Sequence, residues 1–418
     1  MIREAIILAG GMGTRLRSAV PELPKCLAPV AGKPFLSYVI NHLRLNGIGR
    51  IVFSLGYKAA TVISFLEAAY PTLDYEVVVE DEPLGTGGAI KASLQKIKGD
   101  AAVITNGDTL FQVPVQQLFE VHTRNQALCT LALKPMQQFD RYGVVQVEEN
   151  GAVTGFAEKQ FYAAGLINGG LYVVDKSGFE ALQPPDKFSF EKDFLEPQAA
   201  SGKLFAESFD VYFIDIGIPE DFARASQELQ HPPFELNKID ATWTLFLDRD
   251  GVINEEIDGT YVLHKNGFRF MPGVPQAIAQ LSKIFGRIVI ISNQRGVGRG
   301  LMTASDLEGI HDTLLEGVTA AGGRIDDILV CTEVAATHAH RKPNPGMAAL
   351  AFARFPHIIP AKTVMVGNKL SDMQFGRWAG VYTVYVKTTH PQQPLPHPLI
   401  DAAFNNLPQF ATALQSQH

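Results

Sequence analysis

The chain has 418 residues, of which 46% are hydrophobic and 19% charged, and its formal net charge is -7 at pH 7. This length exceeds what one hydrophobic core usually serves, so roughly two to three domains are expected. The negative charge predicts no nucleic-acid partner, and no apolar run approaches membrane-spanning length. The three cysteines lie far apart and no signal peptide precedes the first strand, which predicts a reducing, cytoplasmic location.

The first predicted strand runs directly into a glycine-rich loop, AIILAGGMGTRL, in residues 5–16. Its three glycines are Gly10, Gly11 and Gly13. Glycine adopts backbone angles closed to other residues, so successive N–H groups can converge on phosphate oxygens. The loop lacks both the third glycine of a dinucleotide fingerprint and a Gly-Lys-Ser/Thr ending. It indicates a phosphate-binding loop, and a plain glycine turn after a buried strand is the alternative.

Strands and helices alternate after this loop. Apolar residues at helical spacing are followed by short β-branched runs, a pattern typical of a mostly parallel sheet with helices on both faces. The predicted elements are a helix over 34–46, a strand over 51–55, a helix over 61–69, a strand over 75–80, a helix after Gly88 and a strand over 101–105. From 128 to 174, turns and β-branched residues predict antiparallel hairpins.

The periodicity breaks at HPPFELNKID, residues 231–240, where two prolines cannot continue the preceding helix. We therefore predict a first domain over residues 1–230, a linker over 231–240 and a second domain over 241–418. Strands are then expected over 244–247, 288–292, 328–332 and 363–367, and helices over 274–284, 303–320 and 346–355. The expected fold class is α/β, with two doubly wound, mostly parallel sheets.

Charged residues of the first domain are placed for phosphate chemistry. Arg15 and Lys25 offer two cations close to the glycine loop. Asp108 and Asp215 each follow an apolar segment, so each carboxylate is expected at a strand end, where such sheets bind ligands. Two carboxylates suit Mg²⁺, which would help neutralise a triphosphate. The alternative for each aspartate is a turn or helix cap.

An ordered series of motifs in this domain resembles the sugar-1-phosphate nucleotidyltransferases. The motifs are GGMGTRL at 10–16, PK at 24–25, LGTGG at 84–88, NGD at 106–108, EK at 158–159, NGG at 168–170 and DIG at 215–217. The resemblance implies a Rossmann-like domain in which a sugar 1-phosphate attacks the α-phosphorus of a nucleoside triphosphate in line, without a protein nucleophile. It implies nucleotide contacts at Gly10, Gly11, Gly13, Thr14, Gly85 and Gly88, catalytic cations at Arg15 and Lys25, sugar-phosphate contacts at Glu158, Lys159 and Asn168, and Mg²⁺ ligands at Asp108 and Asp215.

The second domain opens on two aspartates, Asp248 and Asp250, at the end of a predicted strand. This spacing offers one carboxylate to attack phosphorus and another to pass a proton to the leaving alcohol. Ser292 and Asn293 follow the next strand and offer a hydroxyl and an amide to the phosphoryl group. Lys342 offers positive charge further along.

These motifs resemble the haloacid dehalogenase (HAD) superfamily phosphatases, and more narrowly the heptose-bisphosphate and histidinol-phosphate phosphatases. The motifs are DRDGVIN at 248–254, GRG at 298–300, RKPNPG at 341–346 and GNK at 367–369. The resemblance implies Asp248 as nucleophile, Asp250 as acid and base, phosphate contacts at Ser292, Asn293 and Lys342, substrate contacts at Arg299 and Arg341, and Mg²⁺ at Asp248, Asp250 and Asn368. The predicted elements leave no room for a large cap, so we expect a small-cap or capless domain that accepts a compact phosphorylated sugar.

Two positions depart from the pattern of this family. Asn368 stands where an aspartate usually helps to hold Mg²⁺, and an amide oxygen coordinates without contributing charge. We expect a working phosphatase that demands more Mg²⁺, with an inactive domain as the alternative. Relatives often carry a zinc loop of three cysteines and one histidine, whereas Cys331, His338 and His340 occupy this region here, so zinc is not favoured.

The two resemblances together imply consecutive steps. The second domain would remove the 7-phosphate of D-glycero-D-manno-heptose 1,7-bisphosphate, and the first would transfer GMP from GTP to heptose 1-phosphate, giving GDP-heptose and pyrophosphate. GTP, phosphorylated heptose and Mg²⁺ are the expected partners, and a homo-oligomer is left open. One alternative is a mannose- or glucose-1-phosphate nucleotidyltransferase with an inactive or regulatory phosphatase-like domain. A second is a non-catalytic sugar-nucleotide sensor.

Overall fold

A computed structural model describes residues 1–11, 13–16, 19–230, 232–257 and 259–417 of the chain. Two predictions fall outside this description, namely the one on His231 at the start of the expected linker and the one on the side chain of Thr14. The chain divides into two compact units, residues 1–231 and 232–418. None of the helices in the described ranges has the length and apolar character needed to cross a membrane.

The first unit contains thirteen strands and seven α-helices within its described residues. The strands are β1 (Glu4–Ala9), β2 (Pro29–Val30), β3 (Lys33–Pro34), β4 (Arg50–Leu55), β5 (Asp74–Val79), β6 (Ala101–Asn106), β7 (Thr109–Phe111), β8 (Cys129–Phe139), β9 (Val144–Val147), β10 (Val153–Ala157), β11 (Tyr162–Asp175), β12 (Leu204–Ser208) and β13 (Phe213–Asp215). The helices are α1 (Leu36–Leu45), α2 (Ala59–Ala69), α3 (Gly85–Leu94), α4 (Val115–Arg124), α5 (Lys176–Ala181), α6 (Glu196–Gln198) and α7 (Pro219–Glu228).

A nine-stranded sheet organises this unit. Strands β6, β1, β4 and β5 run parallel in that order, and β11 continues the sheet antiparallel to β6. Strands β8, β9 and β10 add the antiparallel pairs that the turn-rich segment predicts, and β12 is the ninth strand and pairs parallel with β8. Ile6, Val52 and Ile104 of the three central parallel strands are fully buried, because both faces of this part of the sheet are covered. A separate two-stranded antiparallel ladder joins β7 to β13.

The second unit contains six strands and six α-helices within its described residues. The strands are β14 (Thr244–Leu247), β15 (Arg287–Asn293), β16 (Asp327–Cys331), β17 (Thr363–Gly367), β18 (Tyr382–Val386) and β19 (Ala402–Phe404). The helices are α8 (Val274–Ile284), α9 (Arg295–Gly298), α10 (Ala304–Ala320), α11 (Gly346–Arg354), α12 (Leu370–Ala379) and α13 (Leu407–Gln415). The sheet order is β16-β15-β14-β17-β18-β19, and every pair is parallel.

A local signal explains where α10 begins. Thr303 and Asp306 form a reciprocal capping box at the start of α10, which satisfies backbone N–H groups that the first turn leaves unpaired. In the segment expected as a linker, Phe234 packs on Tyr382 with ring centroids 5.1 Å apart, and Ile239 is fully buried in the core of the second unit. The predicted fold class, two mostly parallel α/β sheets, is confirmed.

Candidate functional site

The glycine loop after β1 forms one wall of a pocket in the first unit. The pocket is lined by Leu8, Ala9, Gly11, Gly13, Arg15, Lys25, Cys26, Asp108 and Gly217. Gly13 has a φ of +58°, and a Cβ there would lie 2.9 Å from Cβ of Lys25, so glycine is needed for both conformation and space. The pocket thus brings together residues of four predicted motifs at the carboxyl edge of the sheet.

Lys25 lies between the two aspartates predicted to bind Mg²⁺. Its Nζ forms an ion pair with Asp108 and lies 3.4 Å from Oδ1 of Asp215. The two carboxylates meet because the β7–β13 ladder pairs Thr109 with Asp215, which places the residue before β7 beside the end of β13. Burial, and then the charge of Asp108, raise the pKa of Asp215, while Lys25 lowers it. A cation at this position stabilises the adjacent carboxylates in their charged form.

A carboxylate that the motifs do not include, Glu80, links the glycine loop to Leu84, the residue before α3. Its Oε1 accepts a hydrogen bond from the hydroxyl of Ser54 at 3.1 Å, and its Oε2 accepts one from the backbone N–H of Leu84 at 3.0 Å. A Cβ on Gly10 would lie 2.8 Å from the same Oε1. Its position directly after β5 is the sequence signal that points to it.

Gly85 and Gly88 pack closely against residues 186–188, which are about a hundred positions away in sequence. Gly85 has a φ of +73°, and a Cβ there would overlap the carbonyl oxygen of Phe188. A Cβ on Gly88 would overlap the carbonyl oxygen of Asp186. These contacts give both glycines a packing reason, and their predicted contacts with base and ribose stay predictions.

The three residues predicted to contact the sugar phosphate do not line the pocket. Glu158 and Lys159 are exposed in the turn between β10 and β11. Asn168 donates from Nδ2 to the hydroxyl of Tyr172 at 2.8 Å and accepts from the N–H of Gly170 at 3.0 Å. Both polar atoms of Asn168 therefore stabilise the irregular register of β11 against β8.

The second unit places a buried charge cluster at the end of β14. Nζ of Lys342 lies 2.8 Å from Oδ1 of Asp248 and 2.7 Å from Oδ1 of Asp372. Asn293 fixes the backbone of Lys342, because its Oδ1 accepts from the Lys342 N–H at 3.0 Å and its Nδ2 donates to the Lys342 carbonyl at 3.1 Å. Burial raises the pKa of Asp248 to about 6, against the lowering effect of Lys342.

Four donor groups from three side chains surround the carboxylate of Asp250. Arg249, fully buried, donates from Nη2 at 2.9 Å and 3.0 Å and from Nε at 3.3 Å. Asn254 donates at 3.0 Å and Gln294 at 2.8 Å, and Gln294 also donates to the hydroxyl of Ser292 at 2.8 Å. Burial opposes the charged form, but these donors hold the pKa of Asp250 below its usual value. Sequence reasoning missed Arg249, Asn254 and Gln294 as supports of Asp250.

The predicted substrate arginines belong to a cationic cluster. The guanidinium carbons of Arg295 and Arg299 lie 6.0 Å and 5.9 Å from the ring centroid of Tyr261. Burial, followed by the charges of Arg295 and Arg299, lowers the pKa of Arg341, which donates to the backbone carbonyl of Val334. Three neighbouring cations suit an anionic substrate group.

Asn368 is fully buried directly after β17, the strand beside β14. Its Nδ2 donates to the hydroxyl of Thr389 at 2.6 Å and to Oε2 of Glu256 at 3.1 Å. Its Oδ1 is also buried and has no hydrogen-bond partner among the described residues. An orphaned oxygen on the same sheet edge as Asp248 is the donor type that Mg²⁺ takes, so the residues present fit this ion.

Cys331, His338 and His340, the residues considered as zinc ligands, lie in one region of the second unit. Sγ of Cys331 lies 3.7 Å from Nδ1 of His338, and the rings of His338 and His340 are 5.4 Å apart. Burial raises the pKa of the Cys331 thiol. Across the described ranges, no group of three or more His, Cys, Asp or Glu side chains is arranged to hold a metal ion.

Comparisons with known proteins match both halves of the chain. The family model described as nucleotidyl transferase matches residues 4–231, and the one described as HAD-hydrolase-like matches residues 339–401. A D-glycero-alpha-D-manno-heptose 1-phosphate guanylyltransferase of Aneurinibacillus thermoaerophilus is 47% identical over 228 residues, which are 54% of this chain and 99% of that protein.

Two solved structures are also similar. HddC from Yersinia pseudotuberculosis is 36% identical with a TM-score of 0.51, covering 55% of this chain and 100% of that one, and was also solved complexed with GMP-PN. A D,D-heptose 1.7-bisphosphate phosphatase from B. bronchiseptica, complexed with magnesium and phosphate, is 30% identical with a TM-score of 0.39, covering 42% of this chain and 99% of that one.

Proposed function

We propose, because the chain belongs to the nucleotidyl transferase family through residues 4–231, that its first unit transfers GMP from GTP to a heptose 1-phosphate. Pyrophosphate is released. The HAD-hydrolase-like family model matches residues 339–401 of the second unit, and we propose that this unit removes the 7-phosphate of the heptose 1,7-bisphosphate. The observation that carries the proposal is the Lys25–Asp108–Asp215 cluster in the glycine-loop pocket, in a unit 47% identical to a heptose 1-phosphate guanylyltransferase.

In the first unit, positioning and charge neutralisation would carry the reaction. Backbone N–H groups of the glycine loop and the guanidinium of Arg15 would hold the phosphates of GTP. The sugar phosphate oxygen then attacks the α-phosphorus in line, and Lys25 stabilises the charge that builds up on the transferred group. Asp108 and Asp215 would hold Mg²⁺, which adds positive charge at the phosphates.

In the second unit, Asp248 is the proposed nucleophile. Its carboxylate attacks phosphorus to form an aspartyl-phosphate, while the C–O bond of the sugar stays intact and the P–O bond breaks. Asp250 passes a proton to the leaving sugar oxygen and takes one from the water that hydrolyses the intermediate. Lys342 and Ser292 hold the phosphoryl oxygens. Asp248, Asp250 and Asn368 would hold Mg²⁺, which neutralises phosphoryl charge.

A nucleotide panel tests the first activity. The full chain is incubated with heptose 1-phosphate, Mg²⁺ and one of GTP, ATP, UTP or dTTP, and pyrophosphate is measured. We expect pyrophosphate with GTP at a rate at least tenfold above the others, since one wrong base edge typically costs about 1.4 kcal/mol or more. Equal turnover with UTP or dTTP would contradict guanine selectivity.

Asn368 favours a second candidate function. In this alternative, the first unit acts on mannose or glucose 1-phosphate, and the second unit is inactive or regulatory because its metal site lacks a carboxylate. Two results together would support this alternative: no phosphate release from heptose 1,7-bisphosphate at millimolar Mg²⁺, and pyrophosphate release when mannose 1-phosphate replaces heptose 1-phosphate in the nucleotide panel.

The cellular setting is proposed from the cysteines. Cys26, Cys129 and Cys331 are free and buried, as expected where thiols stay reduced. We therefore propose a cytoplasmic protein.

A further inference from the structure

The strongest unexplained feature of the second unit is the hydrogen-bond cluster that surrounds Asn368. Three side chains define this cluster, which we call the amide clamp: Glu256, Thr389 and Lys369. The hydroxyl of Thr389 donates to Oε2 of Glu256 at 2.8 Å and accepts from Nδ2 of Asn368 at 2.6 Å. Nδ2 donates in addition to Oε2 of Glu256 at 3.1 Å. Nζ of Lys369 pairs with Oε1 of Glu256.

These hydrogen bonds fix which end of the amide faces which way. The carboxylate of Glu256 only accepts hydrogen bonds, so the NH₂ group of Asn368 must face it and the amide oxygen must face away. Oδ1 is buried and unpartnered among the described residues, so it is the atom left available to a cation. Gly251 makes room for this arrangement, because a Cβ there would overlap Nδ2 of Asn368.

The clamp also polarises the amide of Asn368. An aspartate at position 368 would bring a carboxylate to the metal site, whereas Asn368 brings only a dipole. Glu256 supplies a negative charge one hydrogen bond behind that dipole and polarises it, so that its oxygen becomes a better ligand. Lys369 pairs with the opposite oxygen of Glu256, which leaves Oε2 for the amide.

We propose that Glu256 is a positioning residue for the divalent cation of the second unit, acting through Asn368 to orient and polarise its amide oxygen. This inference rests on the proposed phosphatase function. The effect of Glu256 on Mg²⁺ binding should also change sign when residue 368 is an aspartate. With an aspartate at 368, Glu256 would face a second carboxylate with no proton between them, so the same glutamate would weaken the site that it supports in the natural chain.

The test is Mg²⁺ binding by isothermal titration calorimetry, without substrate, on the full chain carrying Asp108→Asn and Asp215→Asn to silence the first unit. Asp248→Asn identifies the heat that belongs to the second unit. We expect Glu256→Gln to weaken this binding about tenfold, as loss of an outer-shell partner does at metal sites. The matched control is Glu255→Gln, the exposed neighbouring glutamate, which should leave the affinity unchanged.

A double-mutant cycle distinguishes a positioning role of Glu256 from a merely structural one, because only the positioning role makes its effect on Mg²⁺ affinity depend on residue 368. In the Asn368→Asp background, Glu256→Gln should strengthen Mg²⁺ binding, because the amide introduced by this substitution can donate a hydrogen bond to the new carboxylate. Three results would overturn the role of Glu256: weaker Mg²⁺ binding in both backgrounds, unchanged binding in both, or an equal effect of Glu255→Gln. None of them would contradict the proposed phosphatase function. If the wild-type second unit binds no Mg²⁺ and releases no phosphate, the proposed phosphatase function fails together with the inference.

A second variant keeps the test decisive if Glu256→Gln does not fold, which circular dichroism without Mg²⁺ would show. Thr389→Val keeps the charge of Glu256 but removes the hydroxyl that joins it to Asn368. We expect this variant to weaken Mg²⁺ binding about threefold or more, on the same outer-shell argument. The direct hydrogen bond from Asn368 to Glu256 remains in Thr389→Val, so the same measurement is made on Glu256→Asp, whose shorter side chain withdraws the carboxylate from Asn368. Unchanged affinity in both variants would overturn the proposal.

Discussion

Gly11→Ala separates the ligand role of the glycine loop from its structural role. A Cβ on Gly11 would meet no atom of the described residues within 4 Å, apart from its chain neighbours, and its φ lies outside the left-handed region. The folded chain can therefore accept alanine, and the free energy of unfolding should stay the same or rise by about 0.4–1 kcal/mol through lower entropy of the unfolded chain. Yet Gly11 lines the pocket, so the added methyl group would occupy space proposed for phosphate.

The expected cost appears in nucleotide binding. If the methyl group displaces one backbone N–H from a charged phosphate oxygen, about 1.5–3 kcal/mol is lost, so the affinity for GTP should fall roughly 10- to 150-fold. Calorimetry with GTP measures the affinity, and urea unfolding measures the stability. The matched control is Gly49→Ala, which also meets no described atom within 4 Å but lies away from the pocket. Unchanged GTP affinity in Gly11→Ala would refute the assignment of this loop to phosphate binding.

The surroundings of Lys25, His122 and Gly251 determine how the protein responds to substitution at each position. Lys25→Met leaves Asp108 and Asp215 facing each other without a cation, so kcat of pyrophosphate release should fall roughly 100- to 1,000-fold, and retained kcat would contradict the role of Lys25. Burial lowers the pKa of His122 to about 4, so the stability that depends on its neutral form is complete above the unfolded pKa of 6.5 and is lost as the pH falls toward 4. In urea unfolding, the loss of unfolding free energy between neutral pH and pH 5 should be about 2 kcal/mol smaller in His122→Gln than in the natural chain, and an equal loss in both would contradict this role. Gly251→Ala, at a φ of +81°, should abolish phosphate release while pyrophosphate release from heptose 1-phosphate persists.

Much of the fold follows from local sequence patterns. The predicted helix over 303–320 matches α10, because Thr303 provides a cap and apolar residues recur at helical spacing. The strands that carry the glycine loop and Asp248 are likewise continuous apolar runs, typical of parallel strands buried on both faces.

The meeting of Asp108 with Asp215 could not be read from periodicity. It depends on the ladder between β7 and β13, and each strand has only three residues. The motifs predict both aspartates at strand ends. The pairing of β7 with β13 joins residues about a hundred positions apart, and strands this short carry no sequence pattern that predicts such a contact.

The supports of the catalytic groups were missed for a related reason. Glu80 stands at the end of a predicted strand and Glu256 in a segment without regular hydrophobic periodicity, and the roles of both depend on partners far away in sequence. Gly85 and Gly88 pack closely against residues 186 and 188, a contact that the motif does not predict, while their nucleotide contacts stay predictions. A motif identifies residue types, and the packing decides which of them face the pocket.

The most direct test of the central claim follows phosphate and pyrophosphate separately when the full chain meets heptose 1,7-bisphosphate, GTP and Mg²⁺. We expect phosphate to be released first and pyrophosphate second, in equal final amounts. Asp248→Asn should abolish both, and added heptose 1-phosphate should restore pyrophosphate alone. Pyrophosphate formed from the bisphosphate without prior release of phosphate would contradict the proposed order of the two activities.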